Sequence, residues 1–286
     1  MTKIAVTCDS TISISLEKAK EYGIKVLPLN VIVDNVEYHD GVDIDSDKLA
    51  KMMRDGGVIK TSTPTPYEIE LFFDSIFAEG YDRIIHFTIS SKLSSMFALF
   101  TNICQEKYKN KVVVIDSKSV MSFMLANVLT AKELVKQGNL SVEEIVLKIQ
   151  ERLTDSEVVF IPESLTYLKR GGRVPPAVCL IGNLIGIKPV LAFVDGAIEK
   201  LGTTRNIKAT LKEYANKFAE MKKDPDKYAI SIASVDTNPA MVEYAKKLVC
   251  ETLPDYEYSL DTLAVNVEAH TGPGTIALIL YRKVNK

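Results

Sequence analysis

Apolar residues along this chain recur with two periods that alternate. Ile4–Cys8 is a short unbroken apolar run, the pattern of a strand buried on both faces, and Asp9-Ser10-Thr11 ends it. Ser15–Tyr22 carries helical spacing and stops at Gly23. Val26–Val33 reads as one continuous β-rich strand, with turn signals at Asp34-Asn35 and Asp40-Gly41. Ser46 is expected to cap a helix through Arg54 that stops at Gly56-Gly57. Thr65-Pro66-Tyr67-Glu68 opens the next helix: Thr65 as N-cap, Pro66 in the first turn and Glu68 completing a capping box, with the helix running to Ala78. Then come a strand at Arg83–Ile89, a helix at Leu93–Tyr108, a strand at Lys111–Ile115 and a helix at Met121–Lys136 that ends at Gly138. A second capping box, Ser141-Val142-Glu143-Glu144, starts a helix to Leu153. Strands alternating with helices predict a parallel sheet covered on both faces.

After that the pattern changes. Ser164–Arg170 is a short helix stopped by Gly171-Gly172, and Pro176–Ile185 is an apolar helix. Ile187–Val194 and Ala197–Leu201 flank Asp195-Gly196, a two-residue hairpin signal. Helices are predicted at Asn206–Met221 and Pro239–Thr252, and strands at Tyr228–Val235, Glu257–Leu263 and Thr275–Tyr281. Hairpins mixed with helices predict a second kind of layer. The expected fold class is therefore α/β: an N-terminal three-layer α/β/α domain with a mostly parallel sheet over 1–160, then a C-terminal two-layer α+β domain with a mixed sheet over 161–286.

Composition narrows the function classes. With 286 residues and 47% of them hydrophobic, the chain can build one large core or two medium ones. Lys+Arg at 35 against Asp+Glu at 37 gives a net charge of -2, which argues against a partner held by its phosphate backbone, so no nucleic acid is expected. Met1–Thr7 lacks the features of a signal peptide, and no run reaches the ~18 apolar residues of a membrane span. The four cysteines, Cys8, Cys104, Cys179 and Cys250, have no C-x-x-C spacing and suit a reducing compartment. A cytoplasmic protein is expected, with only transient or peripheral membrane contact.

Four clusters at element ends could carry chemistry. Thr61-Ser62-Thr63-Pro64-Thr65-Pro66 crowds hydroxyls at a helix mouth, where free N–H groups attract anions, although plain N-capping plus a turn is the commoner reading of such a cluster. Ser90-Ser91-Lys92-Leu93-Ser94-Ser95-Met96-Phe97 lies between a strand and a helix; its serines are caps or anion ligands, and Met96, Phe97 and Phe100 are core or pocket. Leu168-Lys169-Arg170-Gly171-Gly172-Arg173 is a glycine helix stop with solvated charges, or a fork for a carboxylate or phosphate. His270-Thr271-Gly272-Pro273-Gly274-Thr275 is read as a stiff loop with a histidine at its entry. Of the other histidines, His86 falls in an apolar strand and His39 near a turn. The chain has no nucleotide-binding loop, no H-E-x-x-H, no acid cluster at metal spacing and no nucleophile elbow. A triad of Ser94, His270 and Asp116 is open on sequence alone, with nothing to bring the three together.

Taken together and in order, these segments resemble the DegV family of bacterial fatty-acid-binding proteins, which serve fatty acid kinase. The match runs from Ile4-Ala5-Val6-Thr7-Cys8-Asp9-Ser10 through Thr61-Ser62-Thr63-Pro64, Ser90 to Ser94, Tyr167 to Arg173, Ile187-Lys188-Pro189 with Asp195-Gly196, Arg205, and His270 to Gly274. The resemblance implies a non-enzyme that holds a long-chain fatty acid at the junction of two α/β domains and presents it to a kinase subunit for phosphorylation. It implies no cofactor beyond that ligand. Thr61, Ser62, Ser94, Ser95, His270 and Thr271 are the implied ligand contacts, and Arg170, beside the double glycine, stands nearer the mouth. One departure stands out: Ser95-Met96-Phe97 replaces the family's usual Gly-Thr-Tyr, which implies altered tail selectivity or a displaced head group. Two other readings compete. A serine-type acyl hydrolase would use Ser94 and His270; a binder of a small anion or phosphate metabolite would use the hydroxyl-rich mouths and need no apolar tunnel.

Overall fold

The computed structural model describes residues 2–174 and 186–284. The helix expected at Pro176–Ile185, with Cys179, lies outside the described residues. The first sheet has the order β2-β1-β6-β7, formed by Lys25–Leu27, Ile4–Asp9, Arg83–Thr88 and Val112–Asp116. Every pairing in it is parallel. Because side chains alternate along a strand, each strand feeds two cores. Val6, Cys8, Ile85 and Phe87 pack with helices α1 (Leu16–Glu21), α5 (Met121–Gln137) and α6 (Val142–Gln150). Ala5, Ile84 and Val112 pack with α3 (Pro66–Ala78) and α4 (Met96–Lys107). This is the expected three-layer domain. Both capping boxes form, at Thr65/Glu68 and Ser141/Glu144.

The expected strand at Val26–Val33 is two strands in different sheets. Pro28, which has no N–H to give a ladder, separates β2 from β3 (Asn30–Val33). β3 sits between β4 (Val36–His39) and β5 (Ile59–Ser62) in a small antiparallel sheet. Asp34 and Asn35, with φ of 50° and 66°, make its hairpin turn. Helix α2 (Ser46–Arg54) packs beneath, through Leu49 and Met53 against Val31 and Val33. Its cap is Asp45, which accepts from Lys48 N–H at 2.8 Å, and not Ser46; the Ser46 hydroxyl instead donates to the Leu263 carbonyl at 2.6 Å. The aspartate is the better first-turn acceptor because it also brings charge to the positive helix end.

The second sheet is mixed, in the order β10-β9-β8-β13-β11-β12. Its strands are Ala197–Thr204, Lys188–Val194, Ser156–Ile161, Thr275–Arg282, Tyr228–Val235 and Glu257–Thr262. Only β11 and β12 pair in parallel. A boundary at residue 160 falls inside β8, so this sheet reaches back to Ser156. One face, with Val159, Ile161, Ile230, Ile232, Ile276 and Leu278, is covered by α8 (Ile207–Glu220) and α9 (Pro239–Thr252). The other face is also apolar, with Phe160, Leu191, Ala233, Ala277 and Ile279, and looks toward the first domain. Helix α5 lies between the sheets. Its Met124 and Val128 pack on the first, while Ser122 Oγ donates to Asp261 Oδ2 of β12 at 2.5 Å. Arg152, almost wholly buried, fixes the chain's last strand by donating to the carbonyls of Arg282 and Lys283 at 2.9 and 2.6 Å and to Asn127 and Thr130.

Two short helices complete the junction: α7 (Thr166–Arg170) and α10 (Val265–Thr271). The region expected to be a loop at His270 is therefore helical, and His270 sits in the last turn of α10.

Candidate functional site

A cavity of about 420 Å³ lies where the carboxyl ends of β1 and β6 face the open side of the second sheet. This is where open α/β sheets keep their sites, because strand ends and helix starts there leave backbone groups free. Its floor is Val158 and Phe160 of β8, Phe193 of β9, Ile198 of β10, Ala233 of β11 and Ala277 and Ile279 of β13. Across from them stand Thr11, Ile89, Met96, Val120 and Met121. Met121 takes a φ of 62°, held there as its N–H donates to the Thr11 carbonyl at 2.8 Å. A bulky residue at positive φ costs about 1–3 kcal/mol and persists only when its surroundings fix it.

The polar groups gather at one end. Thr61 and Ser62 close β5, and Thr63 follows them; all three line the cavity. They belong to the end of β5 and the residue after it, not to the helix mouth, which begins at Thr65. Thr61 Oγ1 lies 2.9 Å from His270 Nε2. Burial, then the positive charge of Arg173, pushes the imidazole down to about 4, so His270 is neutral at pH 7. Its Nδ1 is buried without a partner. Gly171 makes room for that ring: a Cβ there would stand 2.2 Å from His270 Nδ1.

Ser94 is half-buried and lines the cavity, its Oγ accepting from Met96 N–H at 3.4 Å. Ser95 also lines it but is exposed, and it makes no side-chain cap for α4. Thr271 lines the wall, yet its hydroxyl proton goes to the Val267 carbonyl at 3.1 Å, so it has none left to donate. Of Ser95-Met96-Phe97, Met96 faces the cavity, whereas Phe97 is outside its lining.

Arg170 does not reach the large cavity. It lines a smaller neighbouring space of about 220 Å³, together with Tyr167, Gly171, Arg173 and His270. The arginine at the large cavity is Arg173, whose Nε donates to the Leu93 carbonyl at 3.0 Å and whose second nitrogen donates to the Gly171 carbonyl. The reason is local: α7 ends at Arg170, and the turn at Gly171-Gly172 redirects the chain inward. Asn266 of α10 is a further lining residue that sequence reasoning did not find; an unpredicted helix carries it, and no motif marks it.

The three residues open as a triad do not assemble. His270 meets Thr61, while Asp116 accepts from the N–H and hydroxyl of Ser91. His86 is a core residue, stacked on Phe100 with ring centroids 4.5 Å apart. Cys8 and Cys104 are buried and Cys250 exposed, all as free thiols. Among the described residues no helix is long and apolar enough to cross a membrane.

Fold and cavity thus define a class: an α/β protein in which an apolar pocket, closed at one end by hydroxyls, an imidazole and a guanidinium, lies between a parallel sheet and a mixed sheet. The DegV family model, described as an uncharacterised protein family, matches residues 3–283, and the chain belongs to that family. A DegV domain-containing protein of Staphylococcus aureus is 30% identical over 286 residues, covering 99% of this chain and 100% of that one. Among solved structures, a DegV family protein from Thermus thermophilus, described by its fatty acid binding, superposes with a TM-score of 0.87 at 26% identity, covering 98% of this chain and 100% of that chain. A stearic acid-binding protein from Eubacterium ventriosum superposes with a TM-score of 0.85 at 26% identity, covering 99% of each.

Proposed function

We propose that this protein binds a long-chain fatty acid, with the carboxylate at the Thr61–His270 end and the tail over the floor of the second sheet, and presents it to a fatty acid kinase subunit for phosphorylation. The observation that carries the reading is a single cavity of about 420 Å³ joining a polar end to an apolar floor. Such a shape suits an amphiphile with one small head, and the fatty-acid-binding relatives in the same fold support it. A buried carboxylate left unpaired is very costly. Here Thr61, Ser62 and Ser94 supply neutral donors, and Arg173 supplies the charge. His270 acts as a neutral ring. With its proton on Nε2 it donates to Thr61, which frees the Thr61 hydroxyl to donate to the ligand. A tail of about fourteen methylenes at ~0.8 kcal/mol each contributes on the order of 11 kcal/mol before association costs.

The chain itself supplies no catalytic group in this reading. It acts in the cytoplasm as the substrate-carrying partner, touching membranes only transiently. Arg170, exposed beside the mouth, faces the kinase. Native mass spectrometry of the protein purified from bacterial cells, followed by denaturing lipid extraction, tests the ligand. A stoichiometric added mass resolving into C14–C18 fatty acids is expected. A protein that stays unliganded after incubation with fatty acids would overturn it and favour a small anion. For the partner, Arg170→Ala should lower kinase-dependent turnover; full turnover with normal complex formation would remove Arg170 from that role.

A further inference from the structure

Helix α10 carries the head-group side of the cavity, but its own sequence cannot close its first turn. Its N-cap is Ala264, with no side-chain acceptor, and the first N–H groups of any helix need acceptors. The acceptor comes from a residue 226 positions earlier. Asp40, buried just after β4, reaches the second residue of α10, Asn266, accepting from its side-chain amide at 3.5 Å, and the Asn266 backbone N–H stabilises the charge of the same carboxylate.

Asp40 is held in turn by the turn that ends β1. Ser10 Oγ donates to Asp40 Oδ2 at 2.7 Å and accepts from Leu29 N–H at 3.0 Å. The neighbouring Asp9 accepts from Ile89 N–H at 2.6 Å and from Thr11 N–H at 3.0 Å. Thr11, Leu29, Ile89 and Asn266 all line the cavity. One buried dipeptide, Asp9-Ser10, therefore ties together walls from both domains. Neither Ser10 nor Asp40 lines the cavity itself.

We propose that Asp40 is a positioning residue for head-group recognition: it caps α10 from outside the helix and so fixes where His270 stands relative to Thr61 and the ligand's carboxylate. This inference rests on the fatty-acid reading. A purely structural Asp40 would affect every ligand alike, whereas a positioning Asp40 affects chiefly ligands with a carboxylate to be recognised.

The experiment compares hexadecanoic acid with hexadecan-1-ol, which share a tail, on the delipidated full chain, by displacement of a fluorescent fatty acid. The unaltered protein should prefer the acid at least tenfold. Asp40→Ala should lose about tenfold for the acid with the alcohol unchanged within twofold, so that the preference collapses. Asp40→Asn keeps a cap acceptor and should restore most of the acid affinity. If Asp40→Ala does not fold, Ser10→Ala should show the same selective loss at smaller size. Equal loss for both ligands, or no loss in either variant, overturns the positioning role. An unaltered protein that binds neither ligand, or does not prefer the acid, sinks the fatty-acid reading itself and this inference with it.

Discussion

At residue 171 a single methyl group separates a working pocket from a distorted one. Gly171 has an ordinary helical conformation, with φ of -78°, so its requirement is space and not backbone freedom. The obstacle is the His270 ring, 2.2 Å from the missing Cβ, and a ring seated against Thr61 has little room to retreat. Gly171→Ala should therefore displace His270, break its contact with Thr61 and weaken fatty acid binding by tenfold or more, about 1.4 kcal/mol or above. Overall stability should change less. A titration giving unchanged affinity would show that the His270–Thr61 pair does not set the head group. The sequence places Gly171 beside charged residues and marks it only as a helix stop. The close approach to a ring about a hundred residues away in the chain is a tertiary fact that no local pattern encodes.

At the scale of elements, the floor of the cavity is shaped by a missing pair of side chains. Ala233 and Ala277 lie directly opposite each other across β11 and β13, and Ala277 is opposite Phe160 on β8. Opposed residues on one sheet face sit about 5 Å apart, so two alanines leave a notch beside a phenylalanine wall. Ala277→Leu fills that notch with about three methylene-sized carbons. Lipid extracted from that variant should shift toward shorter tails, and an unchanged distribution would show that the tail runs elsewhere. Elements were legible where their signals are local. Tyr228–Val235 and Pro239–Thr252 have the boundaries their patterns predict, and both capping boxes form. Three features were not legible, for physical reasons. The small antiparallel sheet uses strands of four residues, too short to show a period. Pro28 hides a sheet change inside an apolar run. Helix α10 has no capping residue of its own, because Asp40 supplies the acceptor, so His270 and Thr271 looked like a loop. At the polar end, the hydroxyls at 61, 62 and 94 named from the sequence line the cavity, whereas Arg170 lines the smaller space beside it, because the chain turns inward at Gly171-Gly172 and brings Arg173 to the cavity.

At the scale of the whole molecule, the junction between domains contains a liability. Glu268 of α10 is fully buried, and neither carboxyl oxygen has a hydrogen-bond partner. Burial, reinforced by the charges of Asp236, Asp47, Asp45 and Asp40, pushes its carboxyl up to about 9. Below pH 4.5 both folded and unfolded chains hold this proton. Between 4.5 and about 9 the unfolded chain releases it while the folded chain keeps it, so stability falls as pH rises through that window. Glu268→Met removes both the orphaned oxygens, about 1–3 kcal/mol, and the titration. Its melting temperature should exceed that of the unaltered protein by several degrees at pH 8 and by clearly less at pH 5. Equal gains at both pH values would mean that Glu268 is already solvated in the folded state.

The second sheet is apolar on both faces: α8 and α9 cover one, and on the other Ala50, Met121 and Leu168 of the junction helices pack at the edges of the cavity. That cavity is what the proposed fatty acid would fill, and a lipid bound there would be part of the folded core. Occupancy and durability then rise and fall together: at a ligand concentration a hundred times Kd, binding adds about 2.7 kcal/mol to the folded state. The emptied protein should melt earlier and be cut faster by a nonspecific protease than the loaded one. In a cell starved of fatty acid, the carrier would be cleared along with the lipid it lacks, and its abundance would track supply with no dedicated sensor. A pulse-chase in fed and starved cells, showing equal lifetimes, would break that link.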